Sequence, residues 1–306
     1  MTSTHVENRT RLTGLLNLLI VYIVWGSTYL AIRIGVREGS GFPPFFLAGT
    51  RVLTAGLILL AFLAIRRVSL HLTRAEFLRL AFSGVLLWLG GNGLVVFAEQ
   101  HVDSSIAALI IGSTPLAVTL MESILNRRSP SALLVISMLV GFAGVGLLSA
   151  PAFTTGVKAD GGYVLLIVLA SMLWGAGSLY QSRNPVSVAP ELSSAIQHLS
   201  GAAALLATAF ITREPLPQPT TQALLAWGYL VVFGSLLAFT AYVRSLQLLP
   251  TNLVMTYAYV NPVIAVILGA LILNEKPTVW TLGGMGLIIL GVAGVFRARA
   301  GQKAIH

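Results

Sequence analysis

Arg51 and His198 are ionisable side chains set in stretches otherwise apolar enough to lie in hydrocarbon. An ionisable group at membrane depth is costly, so its presence there points to a substrate or ion path. Arg51 keeps its charge and suits a carboxylate, whereas His198 titrates near neutrality and can carry a proton. The plainer reading of Arg51 is snorkelling, because it stands only about six residues, roughly 9 Å, from its helix end. Glu99, beside Gln100 and His101, ends an apolar run and is, with His198, a candidate for coupling to protons. Glu122 lies near Arg127, which favours an ion pair.

Tyr257 and Asn261 are four residues apart and share a helix face. Trp25, Ser27 and Tyr29 in one apolar run are matched by Trp174, Ser178 and Tyr180 in another. Aromatic walls with hydroxyl and amide groups suit amphipathic ligands. Interhelical hydrogen bonds and interfacial anchoring are the competing uses of the same residues.

What must position these groups is a bundle of membrane helices. Of 306 residues, 56% are hydrophobic and 9% charged, against about 25% charged in soluble domains. Ten stretches reach the roughly 20 apolar residues that cross a bilayer. They are Leu12–Ile32, Phe45–Ile65, Phe77–Phe97, Ser104–Leu125 and Ser131–Ala150, then Gly161–Gln181, Leu192–Thr212, Ala223–Arg244, Thr251–Leu273 and Thr278–Arg297. The first is too long for the apolar region of a cleaved signal peptide and reads as a permanent helix. Placing the N-terminus in the cytoplasm puts thirteen of the 19 Lys and Arg residues inside and five outside, with Arg51 within a helix. That asymmetry sets orientation, puts both termini in the cytoplasm and explains the net charge of +9 without nucleic acid.

A shift of 147 residues lays the first half on the second. Pro43 falls on Pro190, Arg51 on His198, Gln100 on Gln247, Pro115 on Pro262, Pro130 on Pro277 and Gly144 on Gly291. Residues 12–150 and 161–297 are therefore expected to be two copies of a five-helix unit. Five is odd, so the second copy is inverted in the bilayer, which is the plan of secondary transporters with a midplane site between the halves.

The motifs Trp25-Gly26-Ser27-Thr28-Tyr29 with Arg33, Ala48-Gly49-Thr50-Arg51, Gly91-Asn92-Gly93, Phe97-Ala98-Glu99-Gln100, and Tyr257 through Pro262 followed by Asn274-Glu275-Lys276-Pro277 occur in this order. Together they resemble the EamA family of the drug/metabolite transporter superfamily. The resemblance implies an all-α fold of ten transmembrane helices in two inverted five-helix repeats, with helices 1–4 and 6–9 around a central cavity and helices 5 and 10 outside them. It further implies export of amino acids, other metabolites or drugs across a plasma or bacterial inner membrane. The chain departs from the pattern after its fourth helix, where Asn126-Arg127-Arg128 replaces the usual Glu, leaving Glu275 without a counterpart.

The expected cavity set is Trp25, Ser27, Tyr29, Arg51, Asn92, Thr114, Trp174, Ser178, His198, Tyr257 and Asn261, with substrate among helices 1, 2, 4, 6, 7 and 9. Pro115 and Pro262 are expected to kink helices 4 and 9, freeing the carbonyls of Ile111 and Ala258 beside the path. Gly141, Gly144 and Gly146, with Gly283, Gly284, Gly286, Gly291 and Gly294, give helices 5 and 10 small-residue faces fit for close packing or a homodimer. With no cysteine, no Gly-Lys-Ser/Thr and no His-Glu-x-x-His, the sequence signals no cofactor, metal or catalytic residue. Three rival functions remain in view: a uniporter, exchanger or drug-efflux permease of the same fold; an intramembrane Ser/His enzyme; and a non-transporting scaffold. The repeat argues against the enzyme.

Overall fold

The computed structural model describes residues 2–102, 104–154, 160–273 and 278–303. Among them stand ten helical spans long and apolar enough to cross a membrane. We number them α1 (Arg9–Val36), α2 (Pro44–Ile65), α3 (Arg74–Ala98), α4 (Ile106–Asn126), α5 (Ala132–Ala150), α6 (Gly161–Arg183), α7 (Pro190–Ile211), α8 (Thr221–Leu248), α9 (Thr251–Leu268) and α10 (Val279–Arg299). A helix satisfies its own backbone polar groups, which a lipid environment demands of any spanning segment. Lipid-facing stripes follow helical spacing, as in Leu12, Leu16, Leu19 and Ile23 of α1, all exposed.

Local sequence sets the ends. Pro44 and Pro190 occupy first turns, where a missing N–H costs nothing. Thr73 and Glu76 form a capping box at the start of α3. Glu214 reaches from the end of α7 to α2, where its two oxygens accept the amides of Phe45 and Phe46, each at 3.0 Å. Beside it, Gln218 and Thr220 amides donate to the carbonyls of Gly41 and Ser40. Gly41 has a positive φ of 72°, and a Cβ there would lie 2.0 Å from the Gln218 carbonyl oxygen. Only glycine fits that crossing.

At the other, arginine-rich end, Glu122 of α4, Asn252 of α9 and Arg299 of α10 form a clasp. Arg299 approaches Glu122 at 3.1 Å and Asn252 at 2.7 Å, and the Asn252 amide donates to Glu122 at 2.9 Å. Glu122 thus forms an ion pair, with Arg299 and not with its sequence neighbour Arg127. A cation 177 residues away in sequence wins because α10 delivers it to the carboxylate in a half-buried setting.

Two departures from regular helix matter for the site. Leu86–Gly93 in α3 and Leu230–Leu237 in α8 are π-helical, an uncommon form that concentrates at functional sites. The fourth and ninth spans are broken. The first break lies at 112–113, and Pro115 sits in the first turn of the next helical segment, Thr114–Asn126. The Ile111 carbonyl there accepts the Thr114 hydroxyl at 2.6 Å. The second break lies at 255–256, upstream of Pro262, which sits inside the helical run Tyr257–Leu273.

Glycines of α5 and α10 are turned on each other within the chain, the close packing that their small residues were expected to allow. A Cβ at Gly144 would lie 2.8 Å from the Gly284 carbonyl, and one at Gly291 would lie 2.5 Å from the Gly141 amide. This pair packs against α9 but contributes no residue to the chamber lining. We expect Gly291→Val to lower the thermal unfolding midpoint in detergent by the equivalent of about 1–3 kcal/mol of overpacking. Gly286→Val, where a Cβ would meet nothing within 4 Å, serves as the control, and equal midpoints for the two would refute the packing role.

Candidate functional site

The site is built around Arg51. Its side chain is 3% exposed, and its Nε donates to Ser235 Oγ at 2.9 Å. Its guanidinium carbon lies 5.3 Å from the Trp88 ring centroid. Ser235 belongs to the π-helical stretch of α8 and Trp88 to that of α3, so the two irregular segments hold the cation between them. Among the described residues Arg51 has no ion pair. Snorkelling is therefore excluded: packing between α3 and α8 keeps the side chain inside. A buried cation without a carboxylate is stable only where other groups or a bound anion compensate it.

Arg51 lines a cavity of about 100 Å³ together with Trp25, Asn92, Thr114, Trp174, Tyr257 and Asn261. The sequence named all of these. Trp25 is the hub of the aromatic wall, with ring centroids 4.9 Å from Tyr257 and 5.6 Å from Trp174. Its indole N–H donates to the Gly234 carbonyl at 3.0 Å, again within the α8 π-helix. Gly91 lets Trp174 lie against α3, since a Cβ there would come within 2.6 Å of the indole. Asn92 Oδ1, Asn261 Oδ1 and Trp88 Nε1 are buried, with no hydrogen-bond partner among the described residues. Each such orphan costs about 1–3 kcal/mol, which a ligand offering complementary donors and acceptors would recover.

Other expected residues lie elsewhere. The Ser27 hydroxyl is bound to the Tyr229 hydroxyl at 2.5 Å, away from the cavity. Ser178 is hydrogen-bonded to Tyr242, behind the tryptophans. His198 is fully buried with its ring 4.9 Å from Trp88 and 4.6 Å from Phe239, so it backs the site without lining it. The side chain of Tyr29, and residues 274–277 with Glu275, lie outside the described residues. Helix 7 contributes no lining residue and helix 3 does. The sequence missed Trp88, Thr28 and Ser171, all in the wall. Trp88 had a signal, its four-residue spacing from Asn92. Ser171 bonds Thr114 at 2.6 Å across α4 and α6, a contact no local pattern announces.

Above this cavity, at the end opposite the arginine-rich one, opens a vestibule of about 1340 Å³ lined by Arg33, Arg37, Glu38, Arg213 and Glu214. Glu99, one residue beyond α3, lines both spaces and marks their junction. Burial pushes its carboxyl up to about 7, against the pull of the Arg33 guanidinium.

The vestibule and the smaller aromatic chamber, whose Arg51 has no ion pair among the described residues, meet at Glu99. Comparison with known proteins decides the family. The model of the EamA-like transporter family matches residues 12–150 and again residues 161–297.

The chain belongs to the EamA-like transporter family.

It is 37% identical over 277 residues to the inner membrane transporter YedA of Escherichia coli (strain K12), covering 90% of this chain and 88% of that one. It is 26% identical to the transporter YvbV of Bacillus subtilis (strain 168), over 97% of this chain and 95% of the relative. A solved crystal structure of 21% identity superposes with a TM-score of 0.76 over 96% of this chain and 98% of that one, showing the same fold. The EamA chain is thus a multi-pass membrane transporter of the drug/metabolite transporter superfamily.

Because Glu99 is neutral below about pH 7 and charged above it, the tryptophans of the chamber should report its titration. Intrinsic fluorescence is expected to show an inflection near pH 7 that disappears in Glu99→Gln. An inflection that survives the substitution would assign it to another group.

Proposed function

We propose that this EamA transporter exports small carboxylate-bearing amphipathic metabolites, amino acids or related compounds, across the inner membrane by alternating access. The observation that carries this reading is the unpaired Arg51 guanidinium facing a chamber walled by Trp25, Trp174 and Tyr257. A planar, fixed donor array suits a carboxylate. The indole and phenol faces suit an apolar or aromatic body and a cationic group beside it. Asn92 and Asn261 supply amide contacts that fix orientation.

The two matched segments are read as two five-span halves related by inversion, which move against one another around this chamber. From the Lys/Arg bias we read the arginine-rich end and both termini as cytoplasmic, and on that reading the vestibule faces outward. Glu99, at the junction, is the carboxylate placed to exchange a proton with the outside as substrate leaves.

The test is to express the protein in a bacterial host and compare metabolites in the medium with those from an empty vector, Arg51→Gln and Asn261→Ala, with membrane levels matched. One class of carboxylate-bearing compounds should accumulate outside only with the unmodified protein. Arg51→Gln should reduce that accumulation about tenfold or more, the factor for one lost charge-assisted hydrogen bond. Equal media from all four strains would overturn export of any host metabolite, and export undiminished in Arg51→Gln would overturn the role of the cation.

A further inference from the structure

One set of buried polar groups lies outside the chamber wall. Ser193, Ser194, Gln197 and His198 lie on one face of α7, all with no exposed surface. Ser193 Oγ, Ser194 Oγ, Gln197 Oε1 and His198 Nε2 have no hydrogen-bond partner among the described residues. Orphaned buried polar atoms are uncommon, and four within two turns need an explanation. The partnered atoms of the stripe bind across helices. Gln197 Nε2 donates to Ser83 Oγ of α3 and to Gln181 Oε1 of α6, both at 2.8 Å.

The stripe has two ends. At one, His198 packs on Trp88, the ring that Arg51 also covers. At the other, Ser193 lines a second pocket, of about 360 Å³, at the arginine-rich end between α3, α6, α7 and α8. Arg79 and Arg244 line it too. Arg244 is half-buried and, among the described residues, has no ion pair or hydrogen bond through its side chain. From Ser193 to His198 is five residues, about 7.5 Å along the helix. That length of helix and the Trp88 ring separate this pocket from the chamber.

We propose that this α7 stripe is the closed cytoplasmic half of the transport path, and that the pocket at its end is the mouth where Arg244, with Arg79, first takes the substrate's carboxylate. The inference rests on the exporter reading above and on the orientation given there. The Gln197 bridge to Ser83 and Gln181 is the latch. When it parts, water and substrate reach the four orphaned atoms, and a carboxylate passes from Arg244 to Arg51. The outward-open state leaves these atoms unpartnered because their partners are present only in the inward-open one.

The chain contains no cysteine, so single thiols can be placed in an unmodified background. Ser193→Cys and Gln197→Cys are expected to react with a membrane-impermeant methanethiosulfonate in everted vesicles and not in intact cells. Gln100→Cys, in the vestibule, is expected to react with the reverse sidedness. Val145→Cys, fully buried where α5 meets α9 and α10, is expected to stay unreactive. At Ser193→Cys the sulfonate reagent should outpace its trimethylammonium analogue by about tenfold, after normalising to a free thiol, and adding Arg244→Gln should remove that preference.

If Ser193→Cys and Gln197→Cys are as inert as Val145→Cys, the stripe is packing and the proposal falls. If they react with no anion preference, the path stands and the carboxylate mouth is overturned. Reaction of Gln100→Cys from the cytoplasmic side would instead refute the orientation, a failure of the functional reading and not of the stripe.

Discussion

The structure depends on one unusual placement, a guanidinium buried in a membrane bundle with no carboxylate beside it. Arg51 is held by Ser235 at 2.9 Å and by the face of Trp88 at 5.3 Å. Those partners belong to α8 and α3, which become π-helical where they meet it. Regular α-helix would present different residues at that depth. The widened turns give α8 the position from which the Gly234 carbonyl receives Trp25 while Ser235 receives Arg51. Fixing the cation thus also fixes the hub of the aromatic wall.

Polar satisfaction divides the molecule into two regimes. Near the arginine-rich end, Glu122, Asn252 and Arg299 meet one another's hydrogen-bonding needs. At the opposite end Glu214 satisfies two amides of α2. Along α5 and α10 backbones touch through glycine, and dispersion without polar groups is enough. The chamber and the α7 stripe are different, because polar atoms there are buried and unpaired. A protein that must bind, release and reopen cannot satisfy these groups permanently from within, since a group already bonded to protein has less to offer a ligand.

The two regimes also separate what can move from what cannot. Interlocked glycine backbones have few alternative packings, because any shift creates either overlap or a void. Amide bridges such as Gln197 to Ser83 and Gln181 can break and be replaced by water at little net change in hydrogen bonding. Breaks at 112–113 and 255–256 give α4 and α9 points about which their halves can turn. The fold therefore places stiffness at its flank and exchangeable contacts around the path.

The fold was legible in the sequence, because a bilayer leaves few ways to satisfy a backbone. Ten apolar runs, their proline and glycine punctuation and their arginine asymmetry suffice to specify ten helical spans. Much of the chamber was legible too. Arg51, Asn92 and Asn261 are conspicuous as polar groups in apolar helices, and helical spacing puts Tyr257 on the Asn261 face. What the sequence could not decide was which polar residues meet the cavity and which meet each other. Ser27 and Ser178 look like Thr114 in sequence, yet tyrosines of α8 occupy the first two. Trp88 looks like core and is wall. His198, which a shift of 147 residues lays on Arg51, faces Trp88 and Phe239. Local spacing determines the face of a helix on which a residue lies. Only tertiary packing determines what stands opposite that face, because the partner comes from a distant part of the chain.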